Sequence, residues 1–326
     1  MSKKFYVISV TYNIEGLFAI VNSVINHCIY AKKQGYIPVI NMKHYKNQYF
    51  KDNKAYKDNS WEYFFEQPAG YTLDDIKEED EVIISPNIFY TDIDFSIINK
   101  DIPITEFISK NKTVEEKKKE CLSILKFNQE TKKFLDEKSK VFDLDNTLGV
   151  LCRGTDYLKK KPIGEQIQPT VKEVIKKTKD TLKSFPNIKK IYLATEDSDI
   201  YNEFKTEFGD LLIENPQYRY DYNKDNNEFL SDIKVNRKNH AYELAKEYLL
   251  SVYILSKCKY FIGGRTTGTK WAWILANNWE YTYIWSLGSY GKSPWEQIFS
   301  VSIKDSFNKK YKVYRFLGIK IKLRMK

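Results

Sequence analysis

The feature that most constrains this chain is an alternation running from residue 148 to residue 286. LGVLC (148–152), IYLAT (191–195), YFIGG (260–264) and YTYIWS (281–286) are short apolar runs of strand length. Between them, Val171, Val174, Ile175, Thr178, Leu182 and Phe185 recur at helical spacing. SDIYNEFKTEF (198–208), the Leu244, Tyr248, Val252, Leu255 series and TTGTKWAWILANN (266–278) are read as three further helices. Strand and helix in alternation predict a doubly wound parallel sheet with helices on both faces. LLIE (211–214) is expected as an additional strand, and the polar segment 215–240 as a mobile loop.

The N-terminal part starts in the same way. FYVISV (5–10) reads as a buried strand, and Leu17, Ile20, Val21, Val24, Ile25, Cys28 and Ile29 as one helical face. Gly35 ends that helix and IPVINM (37–42) returns as a strand, giving a β-α-β unit. EVIIS (81–85) is a further strand candidate, and the Lys/Glu-rich stretch 108–140 is read as helical. The expected fold class is α/β, with a first domain over 1–140, a second over 141–308 and a basic tail over 309–326.

Charge locates that tail. Net charge is +10, but residues 309–326 carry eight Lys or Arg and no acid, which leaves +2 for the rest. This argues against a broad nucleic-acid face. Basic residues mixed with Tyr, Phe, Leu and Ile suit an anionic membrane surface; the plain alternative is a solvated strand or helix. No apolar run reaches the roughly 18–20 residues of a spanning helix, and the apolar part of MSKKFYVISV is too short for a signal peptide. Four scattered cysteines and three well-separated histidines show no metal-ligand spacing, so a reduced, cytoplasmic compartment and no metal site are expected.

In doubly wound sheets, ligands bind beyond the C-terminal ends of the strands. Three such ends carry chemistry: Arg153-Gly154-Thr155-Asp156, Thr195-Glu196-Asp197, and Gly263-Gly264-Arg265-Thr266-Thr267-Gly268. The last opens a helix, whose free N–H groups and Thr266 or Thr267 could seat a phosphate. It is not a P-loop, and on its own it reads first as an ordinary Thr-capped helix after a Gly turn. Arg153 is more telling, because the chain has only six arginines against 47 lysines and two of the six lie at these ends. A guanidinium fork matches phosphate in a way an ammonium does not; its structural alternative is a salt bridge to Asp156 or to a neighbouring carboxylate.

A competing signal overlaps this one. FDLDNTL (142–148) matches the letters of a haloacid-dehalogenase-like, Mg²⁺-dependent phosphatase, with Asp143 as nucleophile and Asp145 as acid/base. That chemistry needs a later Lys and acidic pair; Thr195 could serve as its second motif, but no Gly-Asp-x-x-x-Asp follows it. The same Asp143 and Asp145 also match the metal-binding Asp-x-Asp of Mn²⁺-dependent, single-domain glycosyltransferases. A third reading makes Asp145-Asn146-Thr147 a simple turn into the next strand.

CRGTDY (152–157), YLATED (192–197) and LLSVYILSKCKYFIGGRTTGTKWAWIL (249–275) follow one another as in the α1,6-fucosyltransferases, the rhizobial nodulation fucosyltransferases and the protein O-fucosyltransferases. The resemblance covers roughly residues 145–290. EGLFAIVNSVINHC and WEYFFEQP are compatible with that family's first domain, and PIGEQIQP (162–169) resembles a segment of bacterial surface-polysaccharide glycosyltransferases. The resemblance implies two Rossmann-like domains of the GT-B type, GDP-fucose as first-choice donor, and neither metal nor cofactor. It implies that Arg153 contacts the donor diphosphate, with Thr155 and Asp156 in the same motif. It implies further donor contacts from Thr195, Glu196 and Asp197 and from Gly264, Arg265, Thr266 and Thr267. Glu165 falls near the glutamate that acts on the acceptor hydroxyl. Three positions depart from the pattern: Leu151 stands for a His, Gly154 for a second Arg, and Ser251 for an Asp that recognises guanine. The activity implied is an inverting, metal-independent glycosyltransferase acting on a glycan or lipid-linked glycan at the inner face of the plasma membrane. A non-catalytic nucleotide-sugar-binding protein is the remaining alternative.

Overall fold

A computed structural model of the chain describes residues 2–10, 16–45, 47–85, 112–221, 233, 235–277, 279–291, 299–306, 309–316 and 319–324. Its first half holds β1 (Lys4–Ser9), α1 (Leu17–Lys33), β2 (Ile37–Asn41) and β3 (Glu81–Ile84). The three strands form a parallel sheet in the order β2-β1-β3. Two helices follow, α2 (Lys112–Ile124) and α3 (Gln129–Ser139). The helical stretch expected over 108–140 is therefore two helices. It breaks at 125–128, where Phe127 bridges to Phe65 and the Asn128 side chain caps α3 by accepting from the Thr131 N–H.

The second half runs β4 (Thr147–Leu151), α4 (Thr155–Lys160), α5 (Val171–Ser184), β5 (Lys190–Ala194), α6 (Ser198–Phe208), α7 (His240–Lys257), β6 (Tyr260–Gly264), α8 (Thr267–Leu275) and β7 (Tyr281–Trp285). Its sheet is parallel throughout, in the order β5-β4-β6-β7. Strands buried on both faces read as continuous apolar runs, and the side chains divide accordingly. Leu148, Val150, Ile191, Leu193 and Ile262 pack into one cluster with α5 and α6 residues. Leu151, Tyr192, Ala194 and Phe261 face the other way, into the main core. Gly149 lets α7 lie directly on the sheet: a Cβ there would stand 2.9 Å from Leu255 Cδ2 and 3.3 Å from the Cys258 side chain.

That main core is continuous across both halves and includes Ile8, Phe18 and Ile25 as well as Leu249, Leu255 and Trp271. Phe18 of α1 stacks on Trp271 of α8 at 5.9 Å and meets Tyr248 of α7 edge-on at 5.4 Å. The Lys270 ammonium donates to Asn22 Oδ1 at 2.7 Å. Asn239, left-handed at φ +51°, exchanges two 2.7 Å hydrogen bonds with Asp52 just before α7 begins; Asn is among the few residues that adopt this conformation readily.

Two expectations differ from what is observed. LLIE forms no strand: Leu212 makes a single bridge to Ile191 at the edge of the sheet. Residues 309–316 and 319–324 are strands β9 and β10 of an antiparallel meander that begins with β8 at Phe299–Ser306. The segment expected as a tail thus belongs to a sheet that starts ten residues earlier. Residues 222–232 and 234 of the loop expected over 215–240 lie outside the described residues. Among the described residues no helix is long and apolar enough to cross a membrane.

Candidate functional site

The strand order fixes where a ligand can sit. From β4 the chain crosses to β5 on one side, and from β6 it crosses to β7 on the other. The loops leaving β4 and β6 therefore diverge and open a crevice between the C-terminal ends of these neighbouring strands. Arg153 lies two residues past β4, and Thr266 caps α8 two residues past β6. Both line one pocket, together with Thr195 and Glu196 after β5 and with Glu247, Tyr248 and Ser251 of α7.

Arg153 is partly exposed, and its guanidinium lies over the Tyr157 ring at 4.1 Å. Among the described residues it makes no hydrogen bond and no ion pair. Burial opposes its charge, but Tyr157, Glu196, Asp156 and Tyr248 around it outweigh that and raise its pKa. The expected alternative, a salt bridge to Asp156 or to a neighbouring carboxylate, is not formed among the described residues; Asp156 is 2% exposed and its carboxylate accepts from the Tyr157 N–H at 2.8 Å. A charged fork with unpartnered donors in an acid- and phenol-lined pocket is suited to an anionic ligand.

The start of α8 is built to stay open. Thr266 Oγ1 accepts from the Thr269 N–H at 3.0 Å, and Thr269 Oγ1 donates to the Gly264 carbonyl at 2.6 Å. Capping through Thr269 leaves the N–H groups of Thr267 and Gly268 without the partners that a helix interior would give them. Gly264 is required for a different reason: a Cβ there would fall 2.0 Å from Gln168 Oε1. The Gln168 amide in turn donates to the carbonyls of Gln166 and Arg265, each at 3.0 Å.

The other expected residues divide. Glu196 lines the pocket, and burial raises its carboxyl pKa, with Arg153 lowering it and Asp156 and Glu247 raising it. Asp197 is fully buried and caps α6, its Oδ1 accepting from the N–H groups of Asp199 (2.9 Å) and Ile200 (3.2 Å). Glu165 is exposed on a loop that pairs with 288–290 through Gly164 N–H to Tyr290 O and Ile167 N–H to Gly288 O, both 2.9 Å. Gly264, Arg265 and Thr267 flank the pocket lining without belonging to it; the Thr155 side chain lies outside the described part of the structure. Glu247, Tyr248 and Gln217 were not singled out from the sequence as site residues, although they line the pocket.

Asp143 and Asp145 stand at the wrong end of the sheet for phosphatase chemistry. They lie in a short 3-10 turn before β4, at its N-terminal end, whereas Arg153 and Thr266 lie past strand C-termini. Asp143 accepts from the Asn146 side chain at 2.9 Å, its carbonyl accepts from the Thr147 hydroxyl at 2.6 Å, and Asp145 stands 3.8 Å from Lys259. These are the contacts of a turn into a strand.

A mixed α/β chain with two parallel sheets and a crevice at strand C-termini defines the general class. Comparison with solved structures sharpens it. The chain has the fold of the fucosyltransferase NodZ from Bradyrhizobium, with a TM-score of 0.50 at 16% identity over 84% of this chain and 94% of that one. NodZ alpha-1,6-fucosyltransferase soaked with GDP-fucose gives 0.48 at 16% identity, over 84% and 93%. POFUT1 in complex with GDP-fucose gives 0.47 at 8% identity, over 88% and 99%. No protein-family model matches the chain, and no curated protein does.

Proposed function

We propose that the protein is a glycosyltransferase of the GT-B type, with two Rossmann-like domains, that moves a sugar from a nucleotide-sugar donor to a glycan hydroxyl. The observation that carries this reading is Arg153: charged, without a hydrogen-bonding partner among the described residues, and set at the switch point opposite the capped start of α8. The NodZ fold and the CRGTDY and YLATED segments support a fucosyltransferase-like reaction with GDP-fucose as the first donor to test.

In this mechanism the acceptor oxygen attacks the anomeric carbon from the face opposite the diphosphate, so the configuration inverts. The bond between that carbon and the phosphate oxygen breaks, and the nucleoside diphosphate leaves with the electron pair. Arg153 and the N–H groups opening α8 stabilise the charge that grows on it, without a metal. Glu165 takes the acceptor proton; its exposure on a loop suits a base that meets the acceptor from solvent. The basic strands within 309–324 would hold the enzyme at an anionic membrane carrying lipid-linked glycan, in the cytoplasm of a cell that builds surface polysaccharide.

A thermal-shift panel of GDP, UDP, CMP and dTDP tests this reading through linkage between binding and folding. GDP is expected to raise Tm without added divalent metal. A panel in which no nucleotide raises Tm contradicts the proposal.

A further inference from the structure

The hydrogen bonds of the pocket sort its polar side chains into two groups. Gln217 is fully engaged: its amide donates to the Thr195 carbonyl at 2.6 Å, and its oxygen accepts from Asn215 at 2.7 Å and Ser251 at 3.3 Å. Glu247 accepts from Arg237 at 2.9 Å and from the Tyr218 N–H at 3.1 Å. Thr266 caps its helix and Thr195 Oγ1 accepts from the Asp197 N–H at 3.3 Å. Among the described residues, three polar side chains of the lining have no hydrogen bond: Arg153, Glu196 and Tyr248.

Glu196 is held in place by its main chain alone. Its carbonyl accepts from the Tyr220 N–H at 2.7 Å, and the next residue, Asp197, is locked as the cap of α6. The backbone that carries the carboxylate is therefore fixed, and neither carboxylate oxygen makes a hydrogen bond among the described residues. A half-buried acceptor-only group left unpaired is costly. It fits a ligand that offers two adjacent donors, since the carboxylate presents two oxygens side by side.

Position selects which donors. Glu196 follows β5, the neighbour of β4 on the side away from the crevice, and in doubly wound sheets the acid after this second strand meets a ribose. In a nucleoside diphosphate the ribose hydroxyls lie next to the phosphates, whereas the pairing edge of the base lies beyond them. Glu196 is near enough to Arg153 for each to alter the other's titration, so the group it receives is close to the diphosphate.

We propose that Glu196 receives the vicinal 2′- and 3′-hydroxyls of the donor ribose, one on each carboxylate oxygen. This rests on the reading of the pocket as a nucleoside diphosphate site and adds a preference to it: ribonucleotides bind more tightly than 2′-deoxyribonucleotides such as dTDP.

The test is calorimetric titration of the full chain and of Glu196→Gln with GDP, 2′-deoxy-GDP and IDP, which lacks the guanine 2-amino group. The wild type is expected to bind GDP about ten- to a hundredfold more tightly than 2′-deoxy-GDP, the range for one hydrogen bond to a charged group. Glu196→Gln weakens GDP by a similar factor and shrinks the GDP to 2′-deoxy-GDP ratio toward one, while its GDP to IDP ratio stays that of the wild type. Equal binding of GDP and 2′-deoxy-GDP by the wild type overturns the proposal and leaves the nucleotide site intact. A Glu196→Gln change confined to the GDP to IDP ratio also overturns it, making the residue a reader of the base. Absence of binding by all three to the wild type removes the nucleotide site and the ribose contact together.

Discussion

Replacing Arg153 with Ala separates a ligand-binding arginine from a structural one. In the free protein the side chain gives up its stack on Tyr157 and no hydrogen bond among the described residues. A cation–π contact of this kind contributes about 0.5–1 kcal/mol, so Tm should move by no more than about 4 °C. Binding is different. Two charge-assisted hydrogen bonds from one fork to a diphosphate contribute about 3 kcal/mol, which is on the order of a hundredfold in Kd. Turnover should fall further, by about 10²–10³-fold, because the diphosphate gains charge as it leaves. Arg153→Lys keeps the charge and loses the fork, so its affinity should fall between the two. Scanning calorimetry of each variant, GDP titration and measurement of GDP release from GDP-fucose give all three quantities. The reasoning is refuted if Arg153→Ala binds GDP within threefold of wild type, or if it loses more than about 10 °C of Tm.

Three other outcomes follow from the structure. Asp143→Asn should leave GDP release unchanged and cost less than about 1 kcal/mol, because it alters an exposed turn contact to Asn146; loss of activity there would bring the phosphatase reading back. Asp197→Ala should cost about 1–2 kcal/mol in denaturant unfolding, as the loss of a buried N-cap; an unchanged midpoint would show that the cap is dispensable. Burial raises the Glu196 carboxyl above its ordinary value of 4.5, so the stability linked to this group is fully present below that pH and is lost as pH rises through the folded value. Glu196→Gln should therefore match the wild-type Tm near pH 4 and exceed it by a growing margin toward pH 8. Parallel pH profiles for the two proteins would contradict this.

The strand ends were legible because a buried parallel strand is a continuous apolar run, and the residue after it is almost forced onto the ligand edge. That logic placed Arg153 and Thr266 on one crevice from sequence alone. It was less informative about Asp197, which the motif made a donor contact and the structure makes a helix cap. An Asp directly before SDIYNEF is also an ordinary helix-start signal, and that reading describes the bonds its carboxylate makes. Tyr248 and Glu247 sit within an amphipathic helix, where periodicity marks Tyr248 as core and says nothing of the pocket beside it. The C-terminal sheet was hidden by charge: Ile319, Ile321 and Leu323 alternate with Lys320, Lys322 and Arg324 at strand period, yet the density of Lys and Arg suggested a tail. The shared core between the halves, with Phe18 on Trp271, depends on contacts between residues far apart in the chain and has no local signature.

A co-crystal structure of the protein with GDP tests the central claim most directly. The account predicts the diphosphate between the Arg153 guanidinium and the N–H groups of Thr267 and Gly268, with the ribose turned toward Glu196. A nucleotide bound elsewhere, with Arg153 in contact only with protein, would contradict it.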